Sequence, residues 1–172
     1  MIYKMAATIV LMKCTSATAA EETDVTAVGV RLKSVDDATT APASAPITIP
    51  AADTAYSYET WLRFKCTVAP DNQCTNFQVW SLGTAIQTGA AKITINSDAV
   101  TAGVTPVNTV SSAGTRTDFV VSTAGAKIAV AGTLTSADDE SEYVVVQLEV
   151  YSSATQGNVT QSNEFNYSYD EN

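Results

Sequence analysis

Apolar and polar side chains alternate along several short stretches of the chain, and a period of two is typical of β-strands. In the clearest stretch, Tyr58–Val68, Leu62 and Phe64 fall on one face while Trp61 and Arg63 fall on the other. A strand of this kind covers a core with one face and meets solvent or a neighbour with the other. The pattern therefore predicts that Trp61 faces outward.

The same alternation predicts further strands, and no stretch of ten residues or more has the pattern of an amphipathic helix. These strands are Thr8–Lys13, Val28–Lys33, Asn76–Leu82, Lys92–Asn96, Asp118–Ser122, Lys127–Leu134, Glu142–Tyr151 and Asn163–Tyr169. About nine short strands separated by turns predict an all-β fold. We expect a single antiparallel β-sandwich over residues 1–172, either a jelly roll or an immunoglobulin-like Greek key, with residues 1–7 as a candidate N-terminal arm.

The N-terminus also has features of a secretory signal, because Lys4 precedes an apolar run, Met5–Met12. Lys13 ends that run after eight residues and places a charge directly before Cys14. We therefore interpret Thr8–Lys13 as a strand. No apolar stretch approaches the roughly 20 residues of a membrane helix, so we expect a soluble protein made in the cytoplasm.

Composition argues against most catalytic chemistry. The 172 residues include no histidine, which removes Ser-His-Asp and Cys-His catalysis and any imidazole metal ligand. With 18 acidic and 9 basic residues, the net charge of -9 disfavours nucleic acid as a partner. Only 16% of residues are charged, against roughly 25% in typical proteins, and Thr, Ser and Ala replace them. We expect a protein that is not an enzyme and has no cofactor.

Three cysteines are too few for a Cys₄ zinc site, and their odd number disfavours a disulfide framework. Cys66 and Cys74 flank a turn at Pro70–Asn72 and would face each other across a hairpin. A disulfide there stays open, although we favour two buried thiols.

The acidic run Asp138, Asp139 and Glu140 is the best local candidate for a Ca²⁺ site, since calcium takes six to eight oxygen ligands. It lacks the spacing and glycine of an EF-hand loop. We favour a solvated, charged turn and predict no metal site.

Trp61 and Trp80 both fall on outward registers, and three interpretations stay open. The two rings would form a sugar-stacking platform, a protein contact, or a second apolar layer under the connection Ala38–Thr54.

Four stretches of the sequence resemble small structural proteins of tailed bacteriophage virions, nearest to the capsid decoration (cement) type. They are Tyr58-Glu59-Thr60-Trp61-Leu62-Arg63-Phe64, Asn76-Phe77-Gln78-Val79-Trp80, Val144-Val145-Val146-Gln147-Leu148-Glu149-Val150 and Phe165-Asn166-Tyr167-Ser168-Tyr169-Asp170-Glu171. Residue 60 is Thr where the resemblance leads us to expect a basic residue. The resemblance implies a virion protein without catalytic residues, located on the capsid surface, with the major capsid protein and copies of itself as partners.

Two predicted strands have a basic face, one with Arg63 and Lys65 and the other with Arg31 and Lys33. The candidate partner contacts lie in the N-terminal arm, on the outward face of Tyr58–Val68 and at Trp80. The candidate contact residues are Ile2, Tyr3, Lys4, Trp61, Arg63, Lys65 and Trp80. Two alternatives remain, a tail or baseplate component and a carbohydrate-binding module that uses Trp61 and Trp80 on a host-surface glycan. We expect no membrane partner.

Overall fold

The computed structural model describes residues 6–37, 45–82, 90–96, 98–119, 127–155 and 164–172. Within these ranges the chain forms ten β-strands and a three-residue 3-10 helix, Ala17–Ala19. The strands are β1 Thr8–Thr15, β2 Glu21–Asp24, β3 Thr54–Tyr56, β4 Thr60–Val68, β5 Cys74–Leu82, β6 Ala91–Asn96, β7 Arg116–Asp118, β8 Ile128–Val130, β9 Val144–Tyr151 and β10 Glu164–Glu171. Nothing helical in the described ranges is long and apolar enough to cross a membrane.

The strands form two antiparallel sheets, which confirms the predicted all-β sandwich. Sheet A has the order β2-β1-β4-β9-β6-β7, with β3 also pairing with β9, and sheet B has the order β10-β5-β8. The inner faces meet in one apolar core, where Phe64 of β4 stacks on Phe77 of β5 with ring centroids 5.1 Å apart. Tyr167 of β10 also contacts Phe64, at 5.2 Å. Side chains from both sheets therefore share one interior, as a sandwich requires.

Most predicted strands are present, but the predicted strand Val28–Lys33 is wrong. Gly29 has a φ of 76°, and its N–H donates to the carbonyl of Val25 at 2.8 Å. This turn interrupts the extended backbone, and residues 28–33 join no ladder among the described strands. The strands β2 and β3 were not predicted. β2 contains only Glu, Thr and Asp and has no apolar alternation, and β3 has only three residues.

The connection between β4 and β5 crosses from one sheet to the other, so the expected hairpin around Pro70 is wrong. Cys66 and Cys74, at its two ends, are fully buried and unbonded, which confirms the interpretation as buried thiols. Burial is the main cause that raises the pKa of both thiols. Both side chains therefore serve as small apolar core residues.

Two predictions fall on residues that the structure does not describe. The candidate arm contacts Ile2, Tyr3 and Lys4 lie outside the described residues. Of the predicted strand Asp118–Ser122, residues 120–122 also lie outside the described residues. In the described part, β7 ends at Asp118.

Candidate functional site

The outer face of sheet A is covered by the chain between β6 and β7, residues 98–115, which we call the crossing segment. Val100 forms an isolated bridge with Tyr143, just before β9, and its side chain packs with Ala113 on a second apolar cluster. This cluster lies on the outer side of sheet A and includes Trp61 and Val145. The sheet therefore has apolar layers on both faces.

Trp61 is only 1% exposed, so its outward register on β4 does not bring it to the solvent. The alternation placed it on the correct face of β4, but the crossing segment covers that face. Its ring meets Tyr143 edge-on with centroids 5.3 Å apart, and its Nε1 donates to Oε2 of Glu59 at 3.0 Å. The predicted second apolar layer exists and lies under the crossing segment. Of the expected cover Ala38–Thr54, the described residues 45–54 do not join this cluster.

Trp80 lies on β5 in sheet B, whereas Trp61 lies on β4 in sheet A. The two rings therefore cannot lie side by side as a sugar-stacking pair, and that prediction is wrong. Trp80 is half-buried, and Nζ of Lys127 lies 4.2 Å from its ring centroid in a cation–π contact.

The expected basic face around Arg63 and Lys65 is also wrong, because acidic side chains balance both cations. Arg63 pairs with Glu22 and, at 2.7 Å, with Glu140. Lys65 pairs with the same two carboxylates at 3.0 and 3.1 Å. Lys33 is likewise paired, with Asp37. The charges on the outer face of β4 are therefore close to balanced.

The acidic run after β8 acts within the fold. Asp139 accepts hydrogen bonds from the backbone N–H groups of Thr135 and Ser136, at 2.7 and 2.8 Å, and so closes a turn. Glu140 is engaged by Arg63 and Lys65. No group of three or more Cys, Asp and Glu residues in the described ranges is arranged to hold a metal ion.

Gln147, at the centre of β9, holds the crossing segment from below. It is fully buried, and its Nε2 donates to the carbonyls of Ser57 and Thr109 at 2.9 and 2.8 Å. The carbonyl of Val107 is a third acceptor at 3.4 Å. One side chain thus joins β9 to two points of the crossing segment.

The amide oxygen of Gln147 is equally engaged. It accepts from the backbone N–H of Ser111 at 3.1 Å and from Nη1 of Arg116 at 2.8 Å. Burial is the main cause that lowers the pKa of Arg116, and Glu149, 4.0 Å from its Nη2, opposes that shift. A buried amide with every group satisfied stabilises a single arrangement of the chain around it.

Glu59 provides a second attachment. Its backbone N–H donates to the carbonyl of Val107 at 2.9 Å, and its Oε2 accepts from the N–H of Val107 at 3.3 Å. At the start of the segment, Gly103 lies so close to Thr18 that a Cβ atom would overlap the Thr18 carbonyl oxygen. These contacts fix the path of the segment at Gly103, just before its most exposed part, and at Val107, within it.

That exposed part, residues 104–110, we call the valine loop. Val104, Val107 and Val110 are 52%, 38% and 61% exposed, although valine is usually buried. Beside Val110 lies an open groove of about 520 Å³ between the loop and residues such as Ile47 and Tyr56. None of the residues that line the groove is charged. The valine loop and this groove form an uncharged, partly apolar surface on a strongly acidic protein.

Comparison with protein-family models, with curated proteins and with solved structures finds no match to this chain.

Sequence reasoning missed the valine loop, and one signal was present. No charged residue lies between Asp98 and Arg116, and Val104, Val107 and Val110 recur at a spacing of three around Pro106. That spacing fits neither a strand nor a long helix. Nothing in the sequence indicated that Gln147, distant in the chain, would hold the segment with these three side chains exposed.

Proposed function

We propose that this protein is a non-enzymatic structural protein of a phage virion, which binds the outer surface of the capsid as a decoration protein through its valine loop. The observation that carries the proposal is the loop itself, three exposed valines on a backbone held by buried Gln147 and Glu59.

The physical argument is one of pre-organisation. Exposed apolar side chains are unfavourable in water, and where they cluster they commonly mark interaction sites. A loop that is already ordered loses little conformational entropy when a partner covers it, so more of the contact energy appears as affinity. Attachment at Val107, Thr109 and Ser111 gives the valine loop this property.

Two features of the sequence support a capsid as the partner. The resemblance to virion proteins implies it, and the hydroxyl-rich, weakly charged surface suits the wet, polar rim of a protein interface. A shell displays many equivalent sites, so neighbouring copies that also contact each other would add avidity to a modest single contact.

Co-sedimentation with capsids tests the proposal. We expect the unaltered protein to bind purified capsids and the triple variant Val104→Ser/Val107→Ser/Val110→Ser to bind at least tenfold more weakly. Val28→Ser is the matched control, because Val28 is also an exposed valine, at 43%, but lies outside the loop. Both variants should keep the circular dichroism spectrum of the unaltered protein.

Two results would overturn different parts of the proposal. Full binding by the triple variant would remove the valine loop from the contact. Failure of the unaltered protein to bind capsids, or electron microscopy that locates labelled copies on the tail, would refute the decoration role and favour a tail or baseplate component.

A further inference from the structure

A cleft of about 410 Å³ opens between the two sheets, on the side of sheet A opposite to the valine loop. Leu11 of β1, Ile93 of β6 and Val146 of β9 line it from sheet A, and Phe165 and Tyr167 of β10 line it from sheet B. Its volume lies within the range of small-molecule sites in proteins, about 300–1,000 Å³.

In the part of the chain that the structure describes, the core is incompletely closed at this cleft. Five apolar side chains around the cleft are only half-buried although they pack on the buried core, namely Val30, Leu32, Ile93, Phe119 and Phe165. When an apolar ligand covers solvent-exposed apolar surface in a concave site, the removal of that surface from water favours binding. The walls therefore favour an alkyl or similar apolar group as occupant.

Arg31 is the charged residue of the cleft, whose lining also includes the uncharged polar residues Thr26, Ser81 and Asn166. Its side chain is exposed and lines the cleft, and it makes no hydrogen bond or ion pair with any part of the chain that the structure describes. The other two arginines, Arg63 and Arg116, both pair with acidic side chains. An unpaired guanidinium beside an apolar cleft, on a chain with a net charge of -9, offers a place for a carboxylate.

We propose that this cleft binds a carboxylate amphiphile of the medium-chain fatty-acid class, with the alkyl chain between the sheets and the carboxylate on Arg31. The inference is independent of the decoration role, because the cleft and the valine loop lie on opposite sides of sheet A.

Isothermal titration calorimetry of the full chain with hexanoate, octanoate and decanoate tests the alkyl part. We expect saturable binding of one ligand per chain, with the dissociation constant falling by up to about fourfold for each methylene that enters the cleft. The absence of saturable binding, or affinities that do not change with chain length, would overturn the proposal.

Decanol and Arg31→Gln test the carboxylate part. An exposed ion pair is worth little, so we expect decanoate to bind only about three- to fivefold more tightly than decanol. In Arg31→Gln this preference should disappear, while Lys65→Gln, an equal change of charge on the outer face of β4, should retain it. If decanol and decanoate bind the unaltered protein equally, Arg31 does not bind the head group.

Ile93→Phe tests the location. Ile93 is half-buried and lines the cleft, so a larger ring there would occupy the space of the ligand. We expect at least a tenfold loss of decanoate affinity with an unchanged or higher melting temperature. A folded Ile93→Phe variant that binds decanoate normally would place the ligand elsewhere and refute the proposal.

Discussion

At the scale of single residues, buried polar side chains determine where the crossing segment lies. Gln147 is fully buried, and its amide contacts β7, the crossing segment and the chain before β4. A buried amide of this kind contributes only modestly while it is satisfied, but the groups it satisfies are costly when left without a partner. Its loss therefore affects several backbone groups at once.

We predict that Gln147→Leu lowers the free energy of unfolding by about 3 kcal/mol or more, since each buried polar group left unpaired costs about 1–3 kcal/mol. Urea denaturation followed by circular dichroism measures this change. Gln78→Leu is the control, because Gln78 is half-buried on β5 and we expect a change below about 1 kcal/mol. Equal effects of the two substitutions would contradict the role assigned to Gln147.

Lys13 is a second residue with a measurable signature. It is 4% exposed, and its Nζ donates to the carbonyl of Asp37 at 2.8 Å. Burial and, secondarily, the neighbouring Lys33 lower its pKa from 10.5 to about 8. The unfolded chain therefore holds this proton more tightly than the folded protein between pH 8 and 10.5, so the contribution of Lys13 to stability rises with pH in that window.

We predict that the unfolding free energy of the unaltered protein, minus that of Lys13→Met, increases by about 1–2 kcal/mol from pH 7.5 to pH 10. This value includes a reduction for solvent screening. Measuring this difference also removes the opposing effect of Cys14, whose pKa burial raises to about 11. Lys65→Met is the control, because hydrogen bonds to Glu22 and Glu140 raise the pKa of Lys65, and its contribution should stay constant below pH 10. A Lys13 difference that is also constant would contradict the lowered pKa.

At the scale of elements, the crossing segment is irregular in backbone but fixed in position. It lies against the 3-10 helix at one point and against β9 at another. Because Trp61 lies beneath it, displacement of the segment would expose the indole to water.

We predict that Gly103→Ala displaces the segment, since the new methyl group would overlap the Thr18 carbonyl oxygen. The expected loss is about 1–3 kcal/mol of unfolding free energy, with a red shift of Trp61 fluorescence measured in a Trp80→Phe background. The neighbouring Ala102 is exposed, and Ala102→Ser should change neither quantity. An unshifted emission spectrum in Gly103→Ala would show that the close approach is not required.

Elements whose alternation coincides with burial could be predicted from the sequence, and others could not. The inward set Leu62, Phe64 and Cys66 of β4 is present as predicted, because the core alone determines that pattern. The segment 28–33 has the same pattern, yet the turn at Gly29 removes it from any described sheet. A period of two records which side chains meet the core and leaves open whether the backbone finds a partner strand.

At the scale of the whole molecule, the net charge of -9 hides a local balance. Arg63 and Lys65 share Glu22 and Glu140, and Lys92 lies 3.4 and 3.5 Å from Asp118 and Glu149. The segment that covers Trp61 and the acidic partners of Arg63 and Lys65 are distant from β4 in the chain, so no local pattern identified them. The valine loop, by contrast, contains no charged residue.

If the docking surface has no charged residues, its affinity for capsids should depend little on ionic strength. We expect the affinity for capsids to change less than about threefold between about 50 and about 500 mM NaCl, because screening acts on charged contacts. Co-sedimentation at a series of salt concentrations measures this. A steep loss of binding with salt would indicate a charged contact and contradict the use of the valine loop.

Electron cryomicroscopy of virions that carry this protein tests the central claim most directly. The predicted result is density for the sandwich on the outer capsid surface, with Val104, Val107 and Val110 buried against the shell. A map in which the valine loop faces solvent while another surface touches the capsid would contradict the account, as would a map with no density for the sandwich on the capsid.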